Sequence, residues 1–171
     1  ENYDASIGLG VKGHLDRGMT LGVFSRFVRK ALGARFVRVA GSLDTRVHSV
    51  GVLGGSGGGE IAKMPSSLDV LVTGDVDYHD ALAAQDRGLA VIDAGHAAAE
   101  KWVVPALAAY LKPRLKKVRV ATYLEPELFR VISENDLKSW GELFLASLTK
   151  SADSPLWHEQ LGLRPALSPG F

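Results

Sequence analysis

Two apolar, β-branched runs stop abruptly at clusters of aspartate and histidine and then turn into alanine-rich stretches of helical period. The first is Val70-Leu-Val-Thr-Gly-Asp75-Val-Asp-Tyr-His79-Asp80, the second Val91-Ile-Asp93-Ala-Gly-His96-Ala-Ala-Ala-Glu100. Each half reads as a strand feeding a helix, because the apolar run is too short for a helix and the residues after it recur at helical spacing. In open parallel α/β sheets, ligands bind outside the carboxyl ends of the strands, which is where these polar side chains fall.

The rest of the pattern extends that frame. Thr20 is a cap residue, and Leu21, Phe24, Phe27, Val28, Ala31 and Leu32 share one helical face before Gly33 ends it. Strands are expected over 36–41, 46–53, 68–73, 89–93 and 118–122. Helices are expected over 78–87, closed by Gly88, and over 96–111, with Trp102, Val103, Leu107, Tyr110 and Leu111 turned inward. Between strands, Gly54-Gly-Ser56-Gly-Gly58 leads into a brief helical turn ended by Pro65. The pattern gives a mostly parallel sheet of about five strands with helices on both faces, an α/β domain over 20–132. A glycine-rich, extended or looping entry precedes it over 1–19. A helical and Pro-rich carboxyl-terminal extension occupies 133–171, its helix at 134–149 carrying Leu137, Trp140, Leu143, Phe144 and Leu148 on one face.

Composition narrows the class of protein without changing this picture. The 171 residues suit one domain of ordinary size, and 46% hydrophobic with 23% charged residues is a globular balance. Twenty basic against nineteen acidic residues, with no long run of like charge, leave no footprint for nucleic acid or an anionic membrane. The cluster Lys112-Pro-Arg114-Leu-Lys116-Lys117 reads as a helix carboxyl end. No apolar segment is long enough to span a bilayer, and Glu1-Asn-Tyr-Asp lacks the features of a signal peptide. The absence of cysteine removes disulfides, thiolate ligands and a cysteine nucleophile, and is compatible with a reducing, cytoplasmic setting. Without an initiator methionine, the sequence reads as a piece of something longer.

His96 and Glu100, at i and i+4 on the first turns of a helix, share a face and can address one metal ion together, or can be ordinary polar residues of a helix start. Small residues between them leave room. Asp75, Asp77, His79 and Asp80 crowd the neighbouring strand end, a donor set suited to Zn, Mn, Fe or Mg. Asp75 and Asp77 are equally suited to capping, Asp80 to the first helical turn and Asp93 to bracing the turn before His96. Asp75 and His79 are the candidate catalytic residues; His79 suits a ligand, a proton shuttle or a group orienting the metal water. The loop Gly54, Gly55, Ser56, Gly57 and Gly58 either offers backbone N–H groups to a phosphate or lets helix and sheet pack closely. His14, His48 and His158 read as surface residues, and no Ser/His/Asp triad is evident.

These three segments, Val52-Leu-Gly-Gly-Ser-Gly-Gly58, Val72-Thr-Gly-Asp75-Val-Asp-Tyr-His79-Asp80 and Gly88-Leu-Ala-Val-Ile-Asp93-Ala-Gly-His96 through Glu100, resemble the carboxyl-terminal half of the NGG-interacting-factor-three-like family. Its bacterial members are labelled GTP cyclohydrolase type-two homologues. Gly8-Leu-Gly-Val-Lys-Gly-His-Leu with Met19-Thr-Leu resembles the family's re-entry segment, extending the match over about 7–132. The resemblance implies a dinuclear divalent-metal site, homo-oligomeric rings that are often hexameric, and a nucleotide or other small phosphate ligand. It makes His96 and Glu100 two of the metal ligands. The others come from a His-His-Pro motif and an aspartate in the amino-terminal half, and this sequence contains no His-His pair. The implied reaction is metal-assisted hydrolysis, with the isolated chain inactive; the rival reading is a non-catalytic binding or assembly module that retains the fold.

Overall fold

The computed structural model describes residues 8–126, 128–129 and 131. The chain divides into two compact units between Glu127 and Leu128, and every described helix and strand lies in the first. The helix expected over 134–149, the Pro-rich stretch beyond it and His158 lie outside the described residues.

Five strands form one sheet: β1 (Val11–Thr20), β2 (Arg38–Ala40), β3 (Arg46–Ser56), β4 (Val70–Gly74) and β5 (Ala90–Asp93), in the order β1-β3-β4-β5-β2. The centre β3-β4-β5 is parallel, while β1 joins β3 and β2 joins β5 antiparallel. The expected α/β class therefore holds, but the set of strands differs. Val118–Thr122 is not a strand, and Val118 is exposed. One edge place is filled by β2, within the strand expected over 36–41, and the other by β1, which makes a regular strand of the extended or looping entry. Strand β1 is mostly exposed, so it shows no apolar alternation to betray it; backbone pairing such as Val11 opposite Val52 and Thr20 opposite Arg46 holds it.

Helices cover both faces, and the period-two alternation of the strands decides which side chain goes where. Val70, Val72, Ala90 and Ile92 pack with Val47 against α1 (Leu21–Leu32), which supplies Leu21, Phe24 and Val28. Thr20 caps α1 by accepting the Val23 N–H, and Gly33 ends it in the left-handed conformation, as the sequence indicates. Phe27 is a correction: it lies at the margin of the helix face, exposed, and stacks on Phe24. On the other face Leu71 and Val91 pack with Leu53, with Ile61 from a 3-10 helix (Gly58–Lys63), and with Ala84 from α2 (Tyr78–Asp86).

The single helix expected over 96–111 is broken into α3 (His96–Glu100) and α4 (Val103–Leu111). Pro105 explains the break: it has no N–H for the Lys101 carbonyl four residues back, and its ring collides with that carbonyl in a continuous helix. Trp102, Val103, Leu107 and Tyr110, expected to face inward, are each more than half exposed, and the buried residue of α4 is Ala108. Among the described residues no helix is long and apolar enough to cross a membrane.

Candidate functional site

Asp75 and His96 stand at the carboxyl ends of the two adjacent parallel strands β4 and β5. The His96 ring is held between two carboxylates. Its Nδ1 lies 2.7 Å from Asp75 Oδ2, and its Nε2 lies 2.8 Å from Glu100 Oε2 one helical turn along α3. All three side chains are about half exposed, so the group opens to solvent. Asp75 reaches this position with φ of +53°, a conformation a non-glycine residue adopts only when its surroundings hold it.

What holds it is Asp93. This buried carboxylate accepts the Val76 N–H, immediately after Asp75, through Oδ2, and the Gly95 N–H, immediately before His96, through Oδ1. Arg38 reaches in from β2, pairs with Asp93 Oδ2 and donates to the Val76 carbonyl at 2.7 Å. The two turns that carry the clamp are thus tied to one anion. The sequence indicates the part of Asp93 in the turn before His96. It gives no sign of Arg38, a charge at the start of a three-residue strand whose partner lies 55 residues away.

The remaining sequence candidates separate. Asp77, and not Asp75, caps α2, its Oδ1 accepting the Asp80 N–H at 2.7 Å. His79 packs edge-on against the exposed Tyr78 ring, 5.6 Å between centroids, and takes no part in the clamp. The Gly54–Gly58 loop lies against the clamp: a Cβ added at Gly55 would touch His96 Cε1 and Glu100 Cδ, both at 3.6 Å. Added at Gly57 or Gly58, a Cβ would collide with Thr73 Oγ1 or Asp80 Oδ2. Close packing therefore accounts for those glycines, and Gly55 lines the opening.

Both carboxylates only accept, so the metal-free clamp favours the imidazolium, which donates from both nitrogens. The hydrogen bond with Asp75 raises the His96 pKa above its ordinary 6.5; partial burial opposes this, and the charges of Asp75 and Glu100 add to it. A raised folded-state pKa favours the folded state below about 6.5, and that contribution fades as pH rises through the raised value. Because the ring is half exposed, solvent screening keeps this contribution small. In the metal-free protein, an NMR titration of the His96 ring is expected to give a midpoint above 6.5 that falls on Asp75→Asn; a midpoint unmoved by that change would remove Asp75 as the cause.

The same geometry suits a cation in one specific way. With Nδ1–H donating to Asp75, the deprotonated Nε2 and the Glu100 carboxylate face each other as a nitrogen and an oxygen donor, while Asp75 fixes the ring. The donor set fits part of a divalent-metal site, and among the described residues no group of three or more His, Cys, Asp or Glu side chains completes one.

Comparison with known proteins gives this constellation its family. The sequence pattern of Duf34/NIF3 (NGG1p interacting factor 3) matches residues 2–126. The chain belongs to the Duf34/NIF3 family. A protein named GTP cyclohydrolase 1 type 2 homolog from Halalkalibacterium halodurans is 43% identical over 96 residues, 56% of this chain and 26% of that protein. One of the same name from Staphylococcus epidermidis is 38% identical over a like span. Among solved structures, a Bacillus cereus protein related to NIF3 matches with a TM-score of 0.61 at 38% identity, covering 73% of this chain and 36% of that one. A Staphylococcus aureus structure matches with a TM-score of 0.62 at 29% identity, covering 73% and 42%. The chain thus spans about a quarter of the length of the named relatives it matches.

Proposed function

We propose that this Duf34/NIF3 chain is the carboxyl-terminal part of a metal-dependent, hydrolase-like protein, with His96 and Glu100 as two ligands of a dinuclear site completed by residues outside the chain. The supporting observation is the His96 ring, clamped so that Asp75 orients it from Nδ1 while Nε2 faces Glu100. Divalent ions held there, Zn, Mn, Fe or Mg, would supply Lewis acidity to a water and to the bond under attack. Asp75 is then a positioning residue. Gly55 brings the Gly54–Gly58 loop against the clamp, where its backbone could meet a nucleotide phosphate, and His79 on α2 is the candidate proton carrier. The name shared by the relatives points to hydrolytic opening of a guanine nucleotide ring as the reaction to assay. The proposed assembly is a homo-oligomeric ring, hexameric by family resemblance, working in the cytoplasm.

A second reading has its own observation: two donors alone bind an ion weakly, and the described residues hold no third. It makes the chain a non-catalytic assembly module that retains the fold. Metal content of the natural-length protein, purified under metal-replete conditions, separates the two. The first reading expects about two equivalents per chain, lost largely on His96→Ala, together with turnover of GTP. Metal-free protein, or metal content unchanged by His96→Ala, would leave only the second.

A further inference from the structure

Away from the clamp, the imidazoles of His14 on β1 and His48 on β3 face one another across the sheet edge, 5.4 Å between ring centroids and tilted by 48°. Both are exposed. Sequence pattern alone gives two unrelated surface histidines 34 positions apart. The pairing is produced by the antiparallel ladder, in which His14 lies opposite Ser49 before the register shifts toward Met19. From just before β4, Asp69 holds this stretch in place, accepting the backbone N–H of both His48 and Ser49 at 2.8 and 2.7 Å.

The separation matches that of two imidazoles sharing a metal ion. A metal–nitrogen bond of about 2.0–2.1 Å, plus roughly 1.1 Å from nitrogen to ring centre, puts each centroid about 3.2 Å from the ion; a tetrahedral angle then sets the centroids about 5.2 Å apart. That spacing also lies within the roughly 4.5–7 Å range of ordinary ring pairs, so its content is that the two imidazoles already stand at a separation one ion can bridge.

We propose that His14 and His48 form a second, solvent-open site for a late first-row divalent cation, Zn(II), Ni(II) or Cu(II), with water filling the other positions. Imidazole favours these ions, with Cu(II) bound most tightly, and a two-histidine site has nothing to offer Mg(II) or Ca(II). A bound ion would link the exposed edge strand β1 to central strand β3, so that cation binding and the holding of β1 become one event. The site uses none of the residues of the His96 clamp and stands independently of the function proposed for it.

The test is a Zn(II) titration of the natural-length protein in a His96→Ala background, monitored by NMR of the histidine rings and of the β1 amides, with Cu(II) electron paramagnetic resonance on the same samples. The expected result is Zn(II), added in excess because two protein donors hold an ion weakly, shifting the His14 and His48 ring signals together, with slower hydrogen exchange in β1 and a two-nitrogen Cu(II) signature. His14→Asn and His48→Asn should each weaken Zn(II) binding at least tenfold, as expected when one of two ligands is lost, while leaving the metal-free melting temperature within about 2 °C because both positions are exposed. Zn(II) that leaves both rings unshifted, or binds equally well after His48→Asn, would overturn the proposal. Should a single variant fail to fold, His14→Gln with retained melting temperature provides the same comparison.

Discussion

Replacing Gly74 with alanine is expected to lower the unfolding free energy by about 3 kcal/mol, at the upper end of what an added methyl costs in a packed interior. Gly74 ends β4 and is buried, and an added Cβ would stand 2.7 Å from the Gly95 carbonyl carbon, 2.8 Å from its oxygen and 2.8 Å from His96 N. All three are backbone atoms, so no side-chain rotation relieves the contact. The turn before α3 has to move away from β4, carrying His96 from Asp75. Denaturant unfolding measures the first effect, and the NMR signal of the Asp75–His96 hydrogen bond the second. A loss below about 1 kcal/mol with that hydrogen bond intact would show that the two strand ends are not packed as closely as described.

Asp93→Ala is expected to cost a similar amount for a different reason. The carboxylate, 7% exposed at its side chain, is the acceptor for the Val76 and Gly95 N–H groups as well as the partner of Arg38. Its removal strands one buried and one partly buried backbone donor, and at roughly 1–3 kcal/mol for a buried unpaired donor and less for the second this comes to about 3 kcal/mol in total. Asp93→Asn keeps the shape and one acceptor oxygen and should lose about half as much. Amide shifts of Val76 and Gly95 report directly on the two bonds. If both amides are unperturbed in Asp93→Ala while stability falls, Asp93 acts through Arg38 alone and does not tie the two turns.

The parts of this molecule that were legible in its sequence are those where a local rule and the tertiary structure demand the same thing. Thr20 and Gly33 bound α1 because capping and the left-handed carboxyl end are decided within one turn. The central strands β4 and β5 are buried throughout and apolar until Thr73 and Asp93 near their carboxyl ends, because both faces are covered. The strand-end location of Asp75 and the i, i+4 pair His96 and Glu100 were legible for the same reason. Features settled by distant residues were not. Strand β1 is exposed and held by its neighbour's backbone, so its side chains carry no period. Arg38 acquires meaning only beside Asp93, and the His14–His48 pair only once β1 lies on β3. Trp102, Val103, Leu107 and Tyr110 misled because an apolar helical stripe records that a surface is to be covered, not by which partner.

The antiparallel course of β2 bears on how this rim comes into being. Because β2 runs against β5, its first residue, Arg38, lies at the edge where its parallel neighbours end, opposite Asp93. The brace beneath the clamp therefore depends on closing a long stretch of intervening chain, a step whose entropic cost falls due before any local contact can repay it.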